Sequence, residues 1–358
     1  MKRTAVSSAH LTVRSPVPRG LWRELHESDR DAVPTQAAEW LDCVTAAGRY
    51  RDASRLYELP GGRLAVLPLV RRRFPGGGPV ILHSMPDSWG FGGLIAPGGV
   101  DAELVSAVLD DLSATSALRV HLRANPLHAD VWDAATAGRH GVTAIPSRAH
   151  VLDLSGGFEQ VWRDRFKAAT RTDVRRARKS GVRVETDSTG RLVPVFYDLL
   201  LRSFDRWAGQ QHEPAWLTRL RGRQRDPIGK FGIIADRLGD RCRISVAWVG
   251  ERPAAAIIVL RGGANAHYTR GAMDPAVTTG TQANCALHTA AIEEACASGC
   301  RAYHLGETGG SAGLAQFKSR FGAQPTDYAR YWIERAPLYR MESAIRTGVK
   351  RAIGFRDA

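Results

Sequence analysis

The stretch "YHLGETGGSAGLAQFKSRFGAQP", residues 303–325, decides how the rest of the chain is read. Tyr303, His304 and Leu305 read as the end of a strand, and glycines 306, 309, 310 and 313 mark a loop whose turns would strain other residues. The loop then closes on Phe317, Lys318, Arg320 and Phe321. A turn explains the glycines but not the lysine, so the segment reads as a corner of the fold and as a candidate site.

Working outward, the Ala-rich segment "TQANCALHTAAIEEACASG" reads as a helix ending at Gly299 and feeding the strand "AYHL". Upstream, three strands are expected: "FGIIADR", "RISVAWVGERPAAAIIVLRG" with a turn at Gly250, and "NAHYTRGA". "FEQVWRDRFKAATRTDVRRARKSGVRVET" reads as one helix stopped by Gly181 and followed by a strand, and a further helix is expected over about 190–208. The first 150 residues use the same grammar: a helix in "TQAAEWLDCVTAAG", a strand pair around Pro60-Gly61-Gly62, a glycine-rich loop, a helix near 101–115 and the strand "LRVHLRA". This order predicts an α/β (α+β) fold of two tandem units around a shared cleft. The expected division is 1–150, completed by a returning segment 326–358, and 151–325. The tail "LYRMESAIRTGVKRAIGFR" has the pattern of an amphipathic helix, read as packing across the domains in preference to contact with a membrane surface.

Composition narrows the partners. The 358-residue chain has a formal net charge of +14, which favours a polyanionic partner: nucleic acid, an anionic membrane surface or a phosphorylated substrate. The longest apolar runs, 64–70 and 254–260, fall far short of the ~20 residues a membrane-spanning helix needs. The basic N-terminus has no apolar segment behind it, so a cytoplasmic location is expected. Five cysteines without a C-x-x-C pair suit free thiols, and Cys285 with His288 offers too few ligands for a metal, so none is expected.

Several segments, taken in order, resemble the FemAB-like branch of the GNAT superfamily, which includes the Fem aminoacyl-tRNA-dependent ligases of peptidoglycan cross-bridges. They are "LPGGRLAVLPLVRRR", "LHSMPDSWGFGGLIAP", "RFKAATRTDVRRARKSGVRVE", "GERPAAAIIVLRGGANAHYTRGA" and "GCRAYHLGETGGSAGLAQFKSRFGAQP". The chain departs from the family in carrying His304 where an acidic residue is common, with Glu307 after the glycine. It also lacks the heptad segment that would form a coiled-coil arm.

The resemblance implies transfer of an aminoacyl group from aminoacyl-tRNA, a co-substrate rather than a cofactor, to a small amine or a peptidoglycan precursor, in cell-wall or antibiotic synthesis. Such a reaction needs proximity, a deprotonated amine and a stabilised oxyanion. Lys318 is the family-implied group for the oxyanion or the tRNA end, flanked by Phe317 and Arg320, while His304 and Glu307 are the candidate bases. Tyr268, Arg270, Gln282 and Asn284 are expected on the acceptor side, with Trp89, Gly92 and Gly93 lining the cleft from the first domain. Arg171, Arg175 and Arg178 fall on one helical face, with Lys179 beside them, in a stretch of nine basic and two acidic residues between 163 and 183. That stripe is expected to follow tRNA phosphates. Two other readings stay open: an acyl-CoA-dependent N-acyltransferase, although "DPAVTTGTQANCALHTA" lacks the full CoA-pyrophosphate pattern, and a non-catalytic RNA-binding protein.

Overall fold

The computed structural model describes residues 11–74, 76–336, 338–339 and 341–344. Residues 345–358, most of the expected C-terminal amphipathic helix, lie outside the described residues. Among the described residues there are fourteen strands: β1 (Thr12–Arg14), β2 (Tyr50–Asp52), β3 (Arg55–Glu58), β4 (Leu64–Leu67), β5 (Val70–Arg72), β6 (Ile81–His83), β7 (Arg119–Arg123), β8 (Val142–Asp153), β9 (Val182–Asp187), β10 (Cys242–Val249), β11 (Arg252–Gly262), β12 (Asn265–Met273), β13 (Ala302–Glu307) and β14 (Gln324–Glu334). Eleven of them form one mixed sheet in the order β2-β5-β6-β7-β14-β8-β13-β12-β11-β10-β9, and β1-β3-β4 form a small second sheet.

Each half of the large sheet contains one parallel pair, β6 with β7 and β12 with β13. A parallel pair needs a crossover, and the helices Ala102–Ala114 and Ala283–Ala297 supply it. The halves meet at the long antiparallel pair β8–β14. There β14 also bonds to β7, and β8 bonds to β13, so the first half takes its last strand from the far end of the sequence. The expected division at residue 150 falls inside β8. One hydrophobic core also crosses the halves, joining Trp22, Trp40 and Trp89 to Phe196, Phe204 and Phe231. Among the described residues no helix is long and apolar enough to cross a membrane.

The structure corrects three expected elements. "FGIIADR" is not a strand but part of the helix Ile228–Leu238. Its buried residues Phe231, Ile234, Ala235 and Leu238 follow a helical period, and Pro227 and Gly239 bound it. The long basic helix is broken: a short helical stretch ends before Phe166, whose backbone is extended, and Ala168–Lys179 begins anew. The break lets Phe166 pack edge-on against Phe321, with ring centroids 5.2 Å apart. Finally, the strand after Pro60-Gly61-Gly62 divides at Pro68, so that β4 joins the small sheet and β5 the large one.

The first parallel pair is plugged by its own loop. Strands β6 and β7 separate after His83 and His121, and Gly92 enters between them, its N–H bonding Arg123 O at 2.8 Å. A Cβ on Gly92 would lie 2.6 Å from Ser84 Oγ and 2.8 Å from the Ser84 carbonyl carbon. Gly93, at φ +85°, packs against the Asn125 N–H. Gly92→Ala should therefore destabilise the fold by about 1–3 kcal/mol, the usual cost of overpacking. Chemical denaturation measures it, and an unchanged midpoint would contradict the close packing.

Candidate active site

The second parallel pair is open. Strands β12 and β13 bond in register only from Asn265 with Ala302 to His267 with His304, and then part. Both strands carry a bulge at the parting point: β12 slips against β11 around Thr269, and β13 slips against β8 between His304 and Glu307. Gly306 supplies the second bulge at φ +69°, a conformation that suits glycine. The separation opens a cavity of ≈ 450 Å³, lined on the strand side by His267, Tyr268, Arg270, Gly306 and Glu307.

Lys318 holds this opening from behind. The helix Ala312–Ser319 presents it 2 % exposed, and its Nζ donates to Gly306 O at 3.0 Å and Glu307 O at 2.8 Å. Burial lowers its pKa to about 7, with Glu307 pulling the other way. The bulged strand end is thereby tied to the helix that follows the glycine loop.

On the facing wall, Arg123 reaches into the cavity from the end of β7. It donates to Glu307 at 2.7 Å and to the largely exposed Asp87 at 3.2 Å. Glu307 also accepts the Tyr328 hydroxyl. Burial works to raise Glu307, but Arg123 and the Tyr328 hydrogen bond prevail and hold its carboxyl below the usual range. A second knot surrounds Asp226, which is fully buried and pairs with Arg225, Lys230 and Arg270. Lys230 bridges to the first half: Nζ donates to Ser88 O at 2.7 Å and lies 4.2 Å from the Trp89 ring centroid. Ser88 itself sits at φ 66°, strained backbone at the cavity wall.

Of the residues expected from sequence, the structure brings Tyr268, Arg270 and Glu307 together on the cavity, with Lys318 directly behind. The others stand elsewhere. His304 is fully buried and does not line the cavity; both its ring nitrogens lack hydrogen-bond partners among the described residues, and burial lowers it to about 4. Enclosed away from the cavity, it is not placed to take a proton from an amine bound there. Gly92 and Gly93 fill the first wedge, and Trp89 is buried against Lys230 and Trp40. Gln282 caps the helix Ala283–Ala297, and Asn284 Nδ2 faces Met273 Sδ at 3.0 Å. Phe317 belongs to a ring cluster with His288 and Phe321, and Arg320 is paired with Asp173. Arg175, Arg178 and Lys179 are exposed, whereas Arg171 turns back to donate to the carbonyls of Trp162, Arg163 and Phe166 at the helix break. The Lys318 side chain is enclosed and is not a surface lysine.

Sequence reading missed Asp87, Arg123, Arg225, Asp226, Lys230, Tyr328 and Arg330. Two local signals were available: Tyr328 and Arg330 alternate on one strand face, and Asp226 precedes Lys230 by one helical turn.

Residues 164–319 match a family model described as an acetyltransferase (GNAT) domain. No curated protein sequence matches the chain. Among solved structures, FemX superposes with a TM-score of 0.66 at 13% identity, covering 92% of this chain and 99% of its own. The C-terminal domain of a candidate lysylphosphatidylglycerol synthetase from Agrobacterium fabrum gives 0.52 at 14%, covering 90% and 96%. A conserved protein of unknown function from Bacteroides thetaiotaomicron VPI-5482 gives 0.50 at 9%, covering 90% and 98%. The chain thus shares the fold of FemX, and its residues 164–319 match the GNAT domain.

The buried lysine makes a prediction with a definite sign. Its folded pKa, about 7, lies below the ordinary lysine value of 10.5, so between those pH values the unfolded chain holds a proton that the folded chain has released. Stability should therefore rise with pH across that window. Lys318→Met should remove that rise and, by leaving two carbonyls without their donor, cost about 1–3 kcal/mol at neutral pH. Denaturant titrations at several pH values test both; a variant with the parent's pH slope would contradict the assignment.

Proposed function

We propose that the protein transfers an aminoacyl group from aminoacyl-tRNA to an amine acceptor within the open wedge between β12 and β13. The observation that carries this reading is that wedge itself, a pocket at the parting of two parallel strands in a Fem-like tandem GNAT fold, lined by a carboxylate, a tyrosine and several arginines. The donor is an activated ester, so the enzyme's task is placement and charge stabilisation. The acceptor nitrogen attacks the ester carbonyl carbon. The new C–N bond forms, the C–O bond to the ribose breaks, the amine loses a proton and the released ribose hydroxyl gains one.

Glu307, fixed as a carboxylate by Arg123, would orient the incoming amine, and Asp87 at the mouth would take up its proton. Lys318 is a positioning residue, acting through the Gly306–Glu307 backbone rather than as a free ammonium beside the oxyanion. Exposed Arg175, Arg178 and Lys179 remain the tRNA surface in this reading, while Arg171 serves the helix break. In this reading the acceptor is a peptidoglycan precursor or an intermediate of antibiotic synthesis. A second reading, transfer from acyl-CoA, is favoured by one observation, the match of residues 164–319 to an acetyltransferase model.

Two measurements test this. Incubation with tRNAs charged with labelled amino acids, using cell extract as the acceptor source and acyl-CoA as the parallel donor, should yield base-stable label from the tRNA arm. Label from acyl-CoA alone would replace this reading with the second. In tRNA binding, neutralising Arg175 or Arg178 should each reduce the salt slope by about one unit. Arg171→Ala should instead lower stability, and an unchanged slope in the Arg175/Arg178 double variant would remove this helix from the tRNA surface.

A further inference from the structure

The margin of the large sheet formed by β2 and β5 carries a charge that the fold does not use. A groove of ≈ 710 Å³ lies there, and its lining holds Arg49, Arg51, Arg71, Arg72 and Arg73 with no carboxylate. Arg51 stands directly opposite Arg71 across the antiparallel pair. The Arg73 N–H continues the ladder to Arg49 O at 2.9 Å, so Arg49 and Arg73 meet in the same register. Side chains two apart on a strand share a face. Four arginines therefore stand on one face as two cross-strand pairs of like charge. Arg72 takes the other face, its guanidinium 5.1 Å from the Phe74 ring centroid.

Like charges set directly opposite each other destabilise a strand pair. Elsewhere on the first half arginines are matched: Arg55 with Asp111, Arg63 with Asp101 and Arg139 with Asp110. Here none of the five has an ion-pair or hydrogen-bond partner for its side chain among the described residues. Asp52, next to Arg51, falls on the opposite face and is taken by Arg19 at 2.9 Å. Charges on an edge strand can repel other strands. That role belongs to β2, the outermost strand, whereas three of the five arginines lie on or just after β5, one strand in. A repulsion that weakens the pairing and is kept has a use when a polyanion lies across it. The shape selects among polyanions. A bilayer surface is held by basic residues together with exposed apolar anchors, but this site is concave and its one aromatic ring, Phe74, is half-buried against Arg72. A phosphodiester strand suits a basic groove, and the planar arginine fork matches phosphate oxygens. The far rim, Gly77, Gly78 and Pro79, puts no long side chain in its way.

We propose that the β2–β5 margin is an RNA-binding surface that holds the phosphate backbone at a distance from the transfer cavity. In the order of the large sheet the groove lies six strand spacings from β13, about 30 Å along the sheet. The exposed basic helix Ala168–Lys179 leads into β9 at the opposite margin. The open wedge stands between two basic surfaces, so an RNA whose end enters it meets positive charge on either side. That this RNA is the donor tRNA rests on the transfer reading above; that the groove binds RNA does not.

The full chain is titrated with deacylated bulk tRNA over a range of salt concentrations and, separately, with vesicles containing phosphatidylglycerol. Binding of tRNA should weaken steeply with salt, and the double variant Arg51→Gln/Arg71→Gln should lower the slope by about two units. The same variant should melt at or above the parent's temperature, because a like-charge pair has been removed. Weaker binding together with undiminished stability is a result that a merely solvated charged face would not give. Absence of tRNA binding, or an unchanged slope in the double variant, would overturn the proposal. Vesicle binding that the variant loses while it keeps its tRNA binding would overturn it too, by making the partner a lipid surface. Deacylated tRNA carries no group to transfer, so the donor reading fails or stands separately: label from acyl-CoA alone, with a tRNA slope that still depends on the groove, would end that reading and leave this one.

Discussion

The site depends on one small constraint: β13 must leave β12 after three bonded residue pairs and stay away. Backbone groups freed from a sheet need other partners. Here the carbonyls of Gly306 and Glu307 find Lys318, whose buried amine reaches both within 3.0 Å. Gly306 supplies the left-handed backbone, the lysine satisfies the exposed oxygens, and the glycine loop between them brings the helix Ala312–Ser319 back beneath the strand. Without that tie, the two strands could continue to pair and the cavity would close.

The two halves of the sheet show what such a parting becomes in different contexts. Behind β6 and β7 the gap is filled by a loop whose glycines fit against Ser84 and Asn125, and the result is solid packing. Behind β12 and β13 the gap stays open, and the first half supplies part of its wall through Asp87, Ser88 and Arg123. The plugged wedge therefore contributes to the open one. Arg123 lies at the end of β7, beside the plug, and reaches across to Glu307. The β8–β14 pair and the core shared by Trp40 and Phe231 hold these walls in register.

Much of this was legible in the sequence where the signal is local. The helix ending at Gly299, the strand at 302–305 and the turn at Gly306 followed from composition and spacing, as did the helix within 101–115. "FGIIADR" was misread because a short apolar run fits either period, and only the flanking Pro227 and Gly239 favour a helix. Lys318 stood out in the sequence, but its partners are backbone carbonyls, which leave no mark in the sequence. Of the Asp226 knot only the Asp226–Lys230 spacing was legible: Lys230 meets Ser88 across 142 residues, and charge counting gives Arg225 and Arg270 as two more surface residues. His304 shows the converse error. A histidine beside a glycine loop suggests a base, yet its place in the middle of a sheet strand encloses it.

The assignment of the open wedge as the place of transfer is tested most directly by hydrogen–deuterium exchange. The ligand is a tRNA whose amino acid is attached through a stable amide in place of the ester. Binding should slow exchange in the segments 267–270 and 306–310, which border the wedge, beyond any change at the exposed basic helix. Slowed exchange confined to other surfaces, with these two segments unchanged at saturation, would contradict it.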